Sequence, residues 1–154
     1  MANLTLNKNF LSPTGFQFTI DRQKFPNIEY FCTQVTLPTV NLAESPVPYR
    51  GVNMALPGDR LQFGDLAITF NVTENMENYI ETFDWMHRCI NSKEDQSEDA
   101  TLIILSSHNN PNKKIKFTDV FPVALDGFDF STQQAEVTYV QATATFAYTV
   151  MEFV

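Results

Sequence analysis

"DLAITFNVTENMENYIETFDWMHRCI", residues 65–90, changes its hydrophobic period halfway along, and that change decides the fold class. In the first part Leu66, Ile68, Phe70 and Val72 alternate with Ala67, Thr69, Asn71 and Thr73. A period of two places one set on each face of a half-buried strand. From about residue 75 to 90 the spacing becomes helical, with Met76, Tyr79, Ile80, Phe83, Met86 and Ile90 in one stripe. Thr73 or Asn75 is placed to cap that helix, Glu74 and Glu77 suit its positive end, and His87 and Arg88 suit its negative end. Met76, Ile80, Phe83 and Trp85 are expected to fix the helix onto a sheet.

Outward from this segment the signals are those of strands. "GFQFTID" alternates with Phe16, Phe18 and Ile20 on one face, and "IEYFCTQVTLP" reads as a strand apolar on both faces, stopped by Pro38. "TLIILSS" and "KKIKFTDVFPV" follow the helix, after the charged, exposed loop "SKEDQSED". "EVTYVQATATFAYTVMEF" reads as a long extended run that closes the chain. The expectation is a mainly β single domain over 1–154, an antiparallel sandwich or barrel with one flanking helix at about 75–90.

The stretch at about 39–64 is an extended arm of a different character. Pro46 and Pro48 belong on an edge or in an arm rather than inside a sheet. Yet Tyr49, Val52, Met54, Leu56 and Leu61 are too apolar for a loop that faces only water. The arm either folds over its own core or expects a partner.

The bulk composition narrows the classes of function. The 154 residues are 44% hydrophobic and 18% charged, as in an ordered globular chain long enough to bury a core. Fourteen Phe suggest an aromatic-filled core, and the net charge of -8 argues against a protein that grips nucleic acid. Lys113, Lys114 and Lys116 are the one basic cluster and read as the solvated face of a short strand. "MANLTLNKNF" has no apolar signal core and no stretch is long enough to span a membrane, so neither export nor membrane insertion is expected. Cys32 and Cys89 are expected to be reduced and buried.

No catalytic or metal-binding constellation emerges, and neither an enzyme nor a cofactor is expected. His87 and Cys89 lie two apart on a helix and do not share a face. Asp59, Asp65, Asp119, Asp126 and Asp129 sit beside glycine or at strand ends, where Asp is a turn residue. No phosphate-cradling glycine loop and no Gly-x-Ser-x-Gly is present.

Four features in order resemble the tail tube proteins of contractile-tailed, myovirus-type bacteriophages. They are the strand "FCTQVTLP", the arm with Pro46 that leads into Gly58-Asp59-Arg60, the strand "LAITFNVTE" followed by a helix with Asp84-Trp85, and "DVFPVAL" with Pro122 before the closing strands. The resemblance implies a structural virion protein, six copies of which close into a ring around a channel. Rings stack into an inner tail tube, sheathed from outside, that conducts phage DNA into the host. The partners implied are other copies of the chain and the sheath, tape measure and baseplate proteins; assembly would occur in the host cytoplasm. Tyr49, Val52, Met54 and Leu56 would pack on the adjacent ring, and Gly58, Asp59 and Arg60 would turn the chain back.

A ring of six would carry 6 × -8 = -48, which suits a conduit that lets duplex DNA pass without binding it. Thr69, Asn71 and Thr73, with Gln141, Thr143, Thr145 and Thr149, form a polar, uncharged face that is either the channel wall or an ordinary solvent face. Two other readings stand beside this one. One is a tube-like protein of the baseplate or tube terminus with the same fold; the other is an acidic β-barrel that carries a ligand in a phenylalanine-lined pocket.

Overall fold

The computed structural model describes residues 9–21, 23–136 and 138–154. Nine strands and two helices follow one another among these residues: β1 (Phe16–Thr19), α1 (Pro26–Tyr30), β2 (Cys32–Thr36), β3 (Val40–Tyr49), β4 (Val52–Phe63), β5 (Leu66–Asn71), α2 (Glu77–Asn91), β6 (Glu98–Leu105), β7 (Pro111–Leu125), β8 (Gln141–Ala147) and β9 (Val150–Phe153). All pairings are antiparallel. Among the described residues seven strands form one sheet, six of them in the order β1-β6-β7-β8-β5-β2 and β9 beside β7, while β3 and β4 pair only with each other.

The path folds back on itself because β7 belongs to two layers. Its first part pairs with β6 and β9, and residues 121–125 pair with β8. Between them lies a bulge in which Glu98 faces Val120 and Ala100 faces Phe117. Asp119 there adopts φ 57°, and its N–H donates to the Asp99 carboxylate at 3.4 Å. A bulge of this kind bends and twists a strand, which carries the chain from one layer to the next. Phe18, Leu102, Ile115 and Phe117 from one layer meet Leu66, Ile68, Phe70 and Phe146 from the other in a continuous core.

The strand expected over "IEYFCTQVTLP" starts late. Pro26 opens a short helix, α1, because a missing N–H and a fixed φ cost nothing at a first helical position. Ile28 is fully buried, and β2 begins only at Cys32 with mostly exposed side chains, so it is not apolar on both faces. The closing run is also divided. Only Gln141–Ala147 and Val150–Phe153 are strands, Val137 lies outside the described residues, and β9 crosses to β7 instead of continuing β8. Residues 1–8, which carry most of the amino-terminal reading, also lie outside the described residues. Cys32 is half-buried and Cys89 exposed, against the expectation that both would be interior.

The largest correction concerns α2. Its buried residues are Asn78, Thr82 and Trp85, whereas Ile80 and Phe83 are 48% and 49% exposed and Ile90 is 80% exposed. Ile80, Phe83 and Ile90 of the apolar stripe therefore face outward, Tyr79 packs against the core from the side, and Asn78 and Thr82 face the core beside Trp85. Asn78 explains how. Its amide N–H donates to the Asn71 carbonyl at 2.6 Å, its Oδ1 accepts from the Thr73 N–H at 3.4 Å, and its carbonyl accepts the Thr82 hydroxyl at 3.1 Å. A buried polar group with its partners in place costs little, and this one ties the helix start to the end of β5. Met76 does not pack the helix down either: it precedes α2 in the left-handed conformation, φ 57° and ψ 26°. Thr73 serves the first turn, its Oγ1 accepting the Glu77 N–H at 3.0 Å. Of the four residues expected to pin the helix, Trp85 alone is buried.

Candidate assembly surfaces

The arm is the β3–β4 hairpin. Tyr49 pairs with Val52, leaving Arg50 and Gly51 as a two-residue turn with φ 46° and 82°. Positive φ at both central positions is the turn whose twist suits a tight hairpin, and Gly51 takes it without strain. From this register Val47, Tyr49, Val52, Met54 and Leu56 share one face, and all five are exposed. The opposite face holds the pairs Glu44–Pro57, Pro46–Ala55 and Pro48–Asn53. All three prolines fall in the same alternate set of pairs, in which backbone nitrogens point away from the ladder.

Gly58, Asp59 and Arg60 do not reverse the chain, as the sequence reading expected; Arg50 and Gly51 do. Instead they form an irregularity within β4, opposite Ala43, between the pairs Leu42–Leu61 and Glu44–Pro57. A Cβ on Gly58 would come within 2.4 Å of the Ala43 carbonyl oxygen, so only glycine fits this close approach. Asp59 and Arg60 are highly exposed, with 3.7 Å between Arg60 Nε and the Asp59 carboxylate.

The polar face of the sheet is continuous. Cross-strand pairs Ala67–Thr145, Thr69–Thr143 and Asn71–Gln141 align on the side of β5 and β8 opposite the core. The hydroxyls of Thr69 and Thr143 lie 3.1 Å apart, and the Gln141 amide donates to Asn71 Oδ1 at 3.2 Å. Two sequence-predicted members fall elsewhere. Thr73 lies beyond β5 and caps α2, and Thr149 lies between β8 and β9, its N–H donating to the Thr118 carbonyl at 2.9 Å. Gln34 and Thr36 extend the face, opposite Thr69 and Ala67. The pattern of β2 alone could not assign them, because a bulge between Cys32 and Gln34 shifts its alternation. No Asp, Glu, Lys or Arg lies within β2, β5 or β8.

The two ends of the β5–β8 pair differ. At the Leu66 end lies the arm's base, where the Gly64 N–H donates to the Thr39 carbonyl at 2.8 Å and Phe63 approaches the Tyr148 ring at 6.0 Å. At the Asn71 end, the loop before β8 folds beside the start of α2 and leaves a cleft of about 450 Å³. Val72, Met76, Phe128, Phe130 and Tyr139 line it with Glu74, and Phe130 and Tyr139 are each 81% exposed. Phe128 meets the rings of Tyr79 and Phe130 edge-on, at 5.4 and 5.3 Å.

Burial is the first cause that raises the Glu81 carboxyl, opposed by hydrogen bonds from Asn27, and burial pushes the Cys32 thiol up to about 11. Among the described residues no three of His, Cys, Asp and Glu are grouped to hold a metal ion, and no helix is long and apolar enough to cross a membrane.

Solved structures share the antiparallel β fold of this chain. The tube-terminating cap of the anti-feeding prophage superposes with a TM-score of 0.75 at 12% identity, over 99% of this chain and 95% of that one. The sheath/tube terminator of an extracellular contractile injection system, PVC, in the extended state, gives 0.73 at 14% identity, over 97% and 99%. The sheath-tube complex of that system gives 0.68 at 15% identity, over 96% and 94%. Curated protein sequences give no match. The chain belongs to the phage tail tube protein family, which matches residues 3–152. It is thus a tail-tube-like structural protein.

Proposed function

We propose that six copies close into a ring, that rings stack into an inner tail tube, and that phage DNA passes through it into the host. The uncovered arm carries this reading. Among the described residues β3 and β4 pair with no other strand, and their apolar face has no core beneath it. A large exposed apolar surface on an otherwise ordered domain marks an interaction site. The uncharged face of β2, β5 and β8 lines the channel, where neutral side chains neither hold nor block a phosphate backbone. Sheath, tape measure and baseplate proteins are the partners outside, inside and at the end of such a tube. The role is structural, without catalysis, in a virion assembled in the host cytoplasm.

Electron microscopy of the purified protein tests this directly, since rings and tubes are expected and a persistent monomer would overturn it. The variant Met54→Asp with Leu56→Asp is expected to fold, because exposed substitutions cost the fold within about 0.5 kcal/mol. It is expected not to stack, because an unpaired carboxylate in a dry contact costs several kcal/mol. A second reading, a tube-terminus protein of the same fold, is favoured by the cap and terminator structures among the neighbours. Single rings that never lengthen would support it over the main tube.

A further inference from the structure

We infer that the arm of one copy docks into the cleft between the start of α2 and the loop before β8 of a second copy. This rests on the stacked-ring reading and names the receptor that stacking requires. Three observations converge. The arm's base and the cleft sit at opposite ends of β5 and β8: Phe63, Leu66 and Tyr148 at one, Asn71, Val72 and Val140 at the other. Six residues of strand separate those ends by about 20 Å. A donor at one end and an acceptor at the other make a head-to-tail contact, which repeats without closing and so builds a filament.

The surfaces also match in chemistry. The arm offers Tyr49, Val52, Met54 and Leu56 on a single face, and the cleft offers Phe130 and Tyr139 with their rings largely bare. Arg50, at the arm's tip, is the single charged residue between 45 and 56. Glu74 lines the cleft, and Asp126, Asp129 and Glu136 are exposed in the neighbouring loop. No Lys or Arg occurs between 61 and 87 or after Lys116, so nothing on these stretches offsets that acidic end. Opposite charge at the rim steers the encounter and fixes its register.

The test uses the full chain with Cys32→Ser and Cys89→Ser, first shown to assemble as the native protein does. One preparation then carries Val52→Cys and another Tyr139→Cys; they are mixed, assembled and oxidised. Disulfide-linked pairs are expected in the mixture and not in either preparation alone. Tubes in the mixture without linked pairs would overturn the docking while leaving the tube reading standing, and native protein that forms neither rings nor tubes would overturn both. Separately, Arg50→Asp, which the positive φ at that position tolerates, is expected to raise the concentration needed for assembly at least about tenfold. Combining it with Glu74→Lys is expected to recover part of that loss. An unchanged assembly threshold for Arg50→Asp, or no recovery in the combination, would overturn the assignment of Arg50 to the acidic rim.

Discussion

The ring of Phe25 lies stacked on the indole of Trp85, 4.4 Å between centroids and 25° between planes, so the residue that precedes α1 is also what secures α2. Trp85 further meets Phe146 of β8 at 5.7 Å and donates its indole N–H to the Gln96 carbonyl at 2.8 Å. One side chain thus joins both helices, the sheet and the loop after α2. Trp85→Ala is expected to destabilise the fold by about 3–5 kcal/mol. Ile80→Ala, on the outward stripe of the same helix, is expected to change it by within about 0.5 kcal/mol. Denaturant unfolding of the two variants checks the contrast, and equal losses would mean that the outward stripe is packed after all.

The strands of the core were legible because their alternation is strict: Leu66, Ile68 and Phe70 are buried as their period of two requires. The helix itself was legible for the same kind of reason, but its rotation was not. Periodicity locates an apolar stripe without saying which side faces the core. Here Asn78 and Thr82 find their partners in the adjacent backbone, which nothing local in the sequence reveals. The arm was visible as apolar residues among prolines. The place where it turns is ambiguous in the sequence because Gly-Asp-Arg and Arg-Gly are both turn-like, and only strand register separates them. The cleft was out of reach, since its lining comes from segments on either side of α2.

Glu81 offers a test by pH. Burial raises its carboxyl above the ordinary 4.5, and Asn27 donates to Oε1 at 2.6 Å while Oε2 lies buried with no hydrogen-bond partner among the described residues. An acid with a raised value in the folded state holds its proton more tightly there than in the unfolded chain. Ionising it therefore costs stability as pH rises from about 4.5 through the folded value. Glu81→Gln removes that cost. Its melting temperature relative to the native protein is expected to improve between about pH 4 and 7, as followed by circular dichroism. A difference that stays constant across this range would show that the carboxyl is not desolvated.

Gly58→Val separates the arm from the domain that bears it. The added side chain collides with the Ala43 backbone, which must move to admit it. Because β3 and β4 pair only with each other, the core should be unaffected and its melting transition is expected within about 1 kcal/mol of native stability. Stacking, read by electron microscopy, is expected to fail. Native stacking with Gly58→Val would show that the arm's irregularity has no part in joining rings.

The channel face is tested by making it basic. Thr69→Lys with Thr143→Lys places two cations per subunit on the side of the sheet away from the core. Native tubes are expected to hold duplex DNA no more tightly than about micromolar at physiological salt, the limit of ordinary non-specific binding. The variant, once assembled, is expected to retain DNA and to lose it as salt is raised. If assembled variant tubes bind no better than native ones, the face does not line the channel.

The prolines of the arm bear on the life of the chain before assembly. An exposed hairpin several residues long would ordinarily invite any extended peptide to add a further strand, and with it aggregation in a crowded cell. Along the outer edge of β3, Pro46 and Pro48 offer carbonyls without the amides that a joining strand needs. That edge is chemically incomplete as a template. A copy waiting for its neighbours can therefore be engaged through the shape of Tyr49, Val52, Met54 and Leu56, while chains that match only its backbone find no amide to meet at Pro46 or Pro48.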